Sequence, residues 1–128
     1  MAWVEIVTAL ALLQYLYFGA LVSKARGEYG VKAPAILGHE MFERLYRVQM
    51  NTLELLVVFL PGLWLAALHW SPVWMAAVGV VYLVGRQVYL QAYRHSPAGR
   101  SLGFTLSALP AIGLLLAGLV GAVLTVFK

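Results

Sequence analysis

A bundle of four membrane-spanning α-helices is the fold this sequence predicts, and three observations carry that reading. The chain is 62% hydrophobic with a mean hydropathy of +0.85, far above the roughly 45–50% apolar content of an ordinary soluble domain. Its apolar residues gather into four stretches of about 20, the number that crosses about 30 Å of hydrocarbon at about 1.5 Å per residue. Basic residues and turn formers collect between those stretches. All 128 residues therefore read as a single all-α membrane domain, without internal repeats, low-complexity tracts or linkers.

The first span is expected from about Trp3 to Ser23. The opening "MAWVEIVTALALLQYLYFGALVSK" lacks a positive n-region and a small-residue cleavage signal, so it reads as a retained helix and not as a signal peptide. The second span is expected from Val48 to Leu68 and the third from Val73 to Tyr93. Between them "HWSP" joins the two as a close antiparallel hairpin: Ser71 and Pro72 favour a tight turn, and Trp70 and Trp74 suit the interfacial belt. The fourth span is expected from Leu102 to Phe127. Pro61 and Pro110 fall inside spans two and four, where each removes a backbone hydrogen bond and favours a kink. Lys24, Arg26, Lys32, Arg44 and Arg47 surround the first connection and Arg94 and Arg100 the third, whereas the hairpin turn has no Lys or Arg. By the positive-inside rule the first and third connections face the cytoplasm and both termini face away.

Only 11% of residues are charged, yet the formal balance is +4 with a pI near 9.6. That excess fits anionic headgroups, the positive-inside bias or an anionic substrate. With no cysteine in the chain, disulfides, thiolate metal sites and a cysteine nucleophile are excluded, and any thiol chemistry needs a thiol from the substrate. His39, His69 and His95 are too scattered for a metal site. The basic residues are tied to the membrane ends and form no groove, which speaks against nucleic acid.

Charge inside a span is costly, about 2.5–3.5 kcal/mol for a residue at the bilayer centre on insertion scales. Even so, Arg47, Asn51 and Glu54 stand at i, i+4 and i+7, within roughly 60° of one another on a helical wheel. Glu40 and Arg44 extend a related row upstream. Gln49 lies nearly opposite, so helix two needs a second wall that an oligomer would supply. Helix three repeats the pattern with Arg86, Tyr89 and Tyr93 at i, i+3 and i+7. Beyond it "YRHSPAGRSLGF" brings Arg94, His95 and Arg100 to the same end, with Arg26 in the opposite connection. Each residue singly has a plainer reading: Arg and Tyr snorkel near helix ends, and Glu54 could pair with Arg47. Two aligned polar faces at matching depth favour a binding site open to the cytoplasm.

Arginine forks bind carboxylates in bidentate fashion, so several around one cavity imply a multiply anionic ligand. Glu54 calls for an ammonium on that ligand, and Asn51 for amide groups. Glutathione fits this inventory, with two carboxylates, one α-ammonium, two peptide bonds and the thiol that the chain lacks.

The segments "FERLYRVQMNTLE" and "VYLVGRQVYLQAYRHSPAGR" closely resemble the membrane-associated proteins of eicosanoid and glutathione metabolism, the MAPEG family, and the likeness covers nearly the whole chain. The resemblance implies a homotrimer of four-helix subunits with glutathione bound between neighbours near the cytoplasmic face, and Gln49 facing a different subunit from Arg47. It implies that Arg47, Asn51, Glu54, Arg86, Tyr89 and Tyr93 hold glutathione, with Arg26 and Gln49 as further contacts, and that the catalytic Arg100 faces its sulfur. Leu55 stands where several family members have an aromatic residue, and Gly27 where some have a second arginine. The expected function is that of a membrane-bound glutathione transferase, with possible glutathione-dependent lipid peroxidase activity, acting on a hydrophobic or lipid electrophile drawn from membrane lipid. A non-catalytic lipid-binding or partner-presenting protein is the alternative. A small multidrug transporter fits less well, because a Glu54 surrounded by arginines would titrate poorly as a proton carrier.

Overall fold

The computed structural model describes residues 1–128, apart from the side chain of Pro97. Its helices are α1 (Ala2–Tyr29), α2 (Glu40–His69), α3 (Pro72–His95) and α4 (Ser101–Val126), with a 3-10 turn over Pro97–Arg100 ahead of α4. All four helices are long and apolar enough to cross a membrane, and the protein is an integral, multi-pass membrane protein.

The helices start and stop where local chemistry says they should. Gly30 ends α1 in the left-handed conformation at φ 67°, where a residue without a Cβ is favoured. His39 caps α2, its Nδ1 accepting from the Met41 amide at 3.1 Å, and Glu40 and Glu43 place negative charge at the positive end of the helix dipole. Pro72 opens α3 at a position whose N–H has no helical partner. Both α2 and α4 continue through their internal prolines.

α2 begins at Glu40, eight residues before the expected span at Val48. Hydropathy marks where hydrocarbon begins, whereas the helix itself ends at its cap. At 30 residues, α2 is about 45 Å long at about 1.5 Å per residue, so its polar first turns stand beyond a hydrocarbon layer of about 30 Å. α1 likewise runs six residues past Ser23, to Tyr29.

Two apolar clusters fill the bundle. One joins Val4, Val7, Phe59, Leu63, Tyr82 and Leu114, with the Phe59 and Tyr82 rings stacked at 3.8 Å. The other, toward the α1–α2 connection, joins Phe18, Val22, Phe42, Val48, Leu90 and Tyr93. The outer surface carries Leu13, Leu16, Val57, Leu68, Leu109, Leu119 and other large apolar side chains in the open, as a hydrocarbon solvent requires. α4 lies on α3 backbone to backbone. A Cβ added at Gly85 would meet the Leu106 carbonyl carbon at 2.6 Å, and one at Gly103 would press on the Tyr89 backbone. Small residues at such crossings let spanning helices approach closely.

The α1–α2 and α3–α4 connections share one end of the bundle. Arg44 Nη1 donates to the carbonyls of Arg94 at 2.9 Å and His95 at 3.3 Å, placing a cation on the negative end of α3, while Arg44 also ion-pairs with Glu40. The α1–α2 connection is tied down by Arg26 Nη1 donating to the Ala35 carbonyl at 2.7 Å. The Gly38 amide donates to Glu43 Oε2 at 3.2 Å, and the Tyr29 and His39 rings stack at 3.9 Å.

Candidate functional site

At this end of the bundle, α2, α3, the α1–α2 connection and the 3-10 turn ending at Arg100 line a cavity of about 450 Å³. Arg47, Asn51 and Glu54 of α2 form one wall, Tyr89 and Tyr93 of α3 the back, and Arg100 the third side. Ile36 and Leu37, held by the tied connection, form an apolar lip, with Glu43, Tyr46 and Met50 completing the lining. A second cavity of about 520 Å³ shares Asn51, Tyr89 and Arg100 with the first and continues along α4 past Ser101, Phe104 and Thr105. Asn51, Tyr89 and Arg100 thus stand at the junction of a polar chamber and a more lateral one. Arg47 and Glu54 make no ion pair with each other, so the simple pairing that sequence allows is not formed. Their exposed charges both face the chamber.

Arg86 is placed differently from its neighbours on the helical wheel. It is fully buried and lines neither of these cavities. Its Nη1 donates to Asn51 Oδ1 at 2.8 Å and to Thr52 Oγ1 at 3.1 Å, and its Nε to Ser107 Oγ at 3.0 Å. Its guanidinium carbon lies 4.3 Å from the centre of the Tyr89 ring, a cation–π distance. Within one chain, therefore, Arg86 sits behind the cavity wall and not in it.

Gln49 and Arg26 lie on the α1 side. A Cβ added at Gly19 of α1 would stand 2.8 Å from Gln49 Nε2, so α1 of the same chain lies beside Gln49. Arg26 holds Ala35 and covers the Phe42 ring at 4.7 Å. Neither residue reaches the cavity within one chain.

Sequence reasoning missed Ile36 and Leu37, because a loop residue has no helical period to place it. It also missed Thr52 and Ser107, whose hydroxyls hold Arg86. The one available signal was a serine deep in the fourth apolar stretch. Among the described residues, no three His, Asp or Glu side chains gather as a metal would require.

Residues 4–120 match the MAPEG family model. The chain belongs to the MAPEG family. This MAPEG protein is 44% identical over 124 residues to an uncharacterised protein of Synechocystis, covering 97% of the chain and 88% of that relative. It is 38% identical over 101 residues to human microsomal glutathione S-transferase 2, covering 79% of the chain and 69% of the relative. Bovine leukotriene C4 synthase is 37% identical over 118 residues, with 85% of the chain and 78% of that enzyme aligned. The four-helix architecture is the one expected of a MAPEG member.

Proposed function

We propose that this protein is a membrane-bound glutathione transferase, carried chiefly by one observation: Arg47, Asn51, Glu54, Tyr89, Tyr93 and Arg100 line a single cavity. Its volume of about 450 Å³ falls within the 300–1,000 Å³ typical of small-ligand sites. Relatives named as a glutathione transferase and a leukotriene synthase support the same reading. Arg47 meets a ligand carboxylate in this proposal, Glu54 the α-ammonium, and Tyr89 and Tyr93 supply phenolic hydrogen bonds. The thiol lies toward Arg100, where the two cavities join.

A free thiol of pKa near 8.5 is only about 3% thiolate at pH 7, and the thiolate is the nucleophile. Lowering that pKa by about two units takes about 2.7 kcal/mol of preferential stabilisation of the anion, within reach of a charge-assisted hydrogen bond from a guanidinium in a partly dry site. The thiolate then attacks an electrophilic carbon of a hydrophobic substrate arriving from the bilayer. A C–S bond forms as the bond to the leaving group breaks, and that group departs with the electron pair. The same thiolate can reduce a lipid hydroperoxide: two glutathiones supply two electrons, become the disulfide, and leave an alcohol and water. Arg26 and Gln49 enter the site from a neighbouring copy in a homotrimer, with the site near the cytoplasmic face.

Purified protein assayed with glutathione and an aryl halide, and separately with a fatty-acid hydroperoxide, should turn over at least the first pair. An ultraviolet thiolate band should appear when glutathione is added at pH 7. A protein that binds glutathione but neither ionises its thiol nor turns over would instead be the non-catalytic lipid-binding or partner-presenting alternative.

A further inference from the structure

Arg86 is a cation enclosed in a membrane bundle, and among the described residues its hydrogen-bond partners are all neutral: Asn51, Thr52 and Ser107. A guanidinium carries donors only. The Asn51 atom facing Arg86 Nη1 at 2.8 Å must therefore be the carbonyl oxygen, since the amide nitrogen would set donor against donor. The two hydroxyls obey the same logic. Thr52 gives its proton to the Val48 carbonyl at 2.7 Å, and Ser107 gives its proton to the Gly103 carbonyl at 2.8 Å, leaving each oxygen to accept from Arg86. The network has one polarity, running from α3 outward to α2 and α4, and none of its members can reverse without breaking another bond. The Asn51 side chain, for its part, lines both cavities.

We infer that Arg86 is a positioning residue that never touches the ligand: it locks the Asn51 carboxamide with its oxygen inward, so that the amide N–H groups serve the cavity junction. Asn51 is thereby an obligatory donor. It recognises an acceptor on the bound peptide, a peptide carbonyl or a carboxylate, while its oxygen is turned toward Arg86 and the ammonium is left to Glu54. This inference rests on the proposed glutathione reading and adds the direction of one hydrogen bond together with the residue that sets it.

The decisive variant is Asn51→Asp, nearly isosteric, which still accepts from Arg86 but has no donor to offer. Calorimetric titration with glutathione at pH 7 should show Kd raised by about 10-fold or more, since an acceptor then faces an acceptor, while the thermal midpoint in detergent stays at or above the parent's. Arg86→Lys keeps the charge but loses the planar fork. It should raise KM for glutathione with kcat and the bound thiol's titration midpoint unchanged. Because Arg86 acts through Asn51, the double variant Arg86→Lys/Asn51→Ala should bind no more weakly than Asn51→Ala alone. Wild-type binding matched by Asn51→Asp, or losses that multiply in the double variant, would overturn the role of Arg86 and leave the glutathione reading standing. A well-folded wild type that takes up no glutathione would remove both.

Discussion

Arg100 and Glu54 occupy one cavity and carry opposite tasks in the proposed chemistry, so their replacement should separate. In Arg100→Ala the pH–rate profile should change. A thiol lowered by about two units from 8.5 is fully ionised, and the rate level, above about pH 7.5; without the arginine the rise should continue toward pH 9.5. The sign follows from the nucleophile being the deprotonated form, so losing a cation moves the rise upward. Turnover at pH 7 should fall by about 10-fold or more, with glutathione affinity much less affected. Glu54→Gln should do the reverse, raising Kd for glutathione by about 10-fold and leaving the bound thiol's midpoint in place. Glu54 was legible as a member of a polar row at helical spacing, and Arg100 as a basic residue of the connection beyond the third span. The depth of Arg86 was not: the wheel puts it beside Tyr89 and Tyr93, and only the packing of α4, which brings Ser107 within 3.0 Å of its Nε, shows that it is enclosed.

Among the elements, the α2–α3 joint depends on Arg44, whose guanidinium serves the last carbonyls of α3. Arg44→Ala leaves those carbonyls without a donor and removes a cation from the helix C-terminus. It should lower stability by about 1–2 kcal/mol, read as a reduced thermal midpoint in detergent, with activity retained at low temperature. Helix existence and order were readable from hydropathy, and the tight turn between α2 and α3 from Ser71 and Pro72. Helix ends were less so, because apolar content reports the solvent around a segment and says nothing of a polar helix continuing into water. α2 shows this most plainly, since Glu40, Glu43, Arg44 and Arg47 are all helical and all polar.

For the whole molecule, the apolar exterior and the clustering of both charged connections at one end fix an axis across the bilayer. The positive-inside rule then places a C-terminal reporter fusion on the side away from the cytoplasm, which a protease-protection assay in membrane vesicles checks directly. Native mass spectrometry in mild detergent should find three copies of the 14.0 kDa chain. An otherwise intact monomer would leave Arg26 and Gln49 outside any site. Assembly is the level least legible in the sequence. Gln49 lies beside α1 of its own chain, and a helical wheel gives the direction of a side chain without saying which helix, of its own chain or of a neighbour, lies there.

The close crossing at Gly103 has a mechanical consequence. Arg100 sits one turn before the point where α4 rests on the main chain of Tyr89, with no side chain between them to act as a cushion. The separation of the Arg100 and Tyr89 main chains is therefore set by two helices in direct contact, and the side chains reach the cavity from that fixed frame. One added methyl, Gly103→Ala, should act as a wedge: the helices part, and turnover drops although no polar atom has been changed.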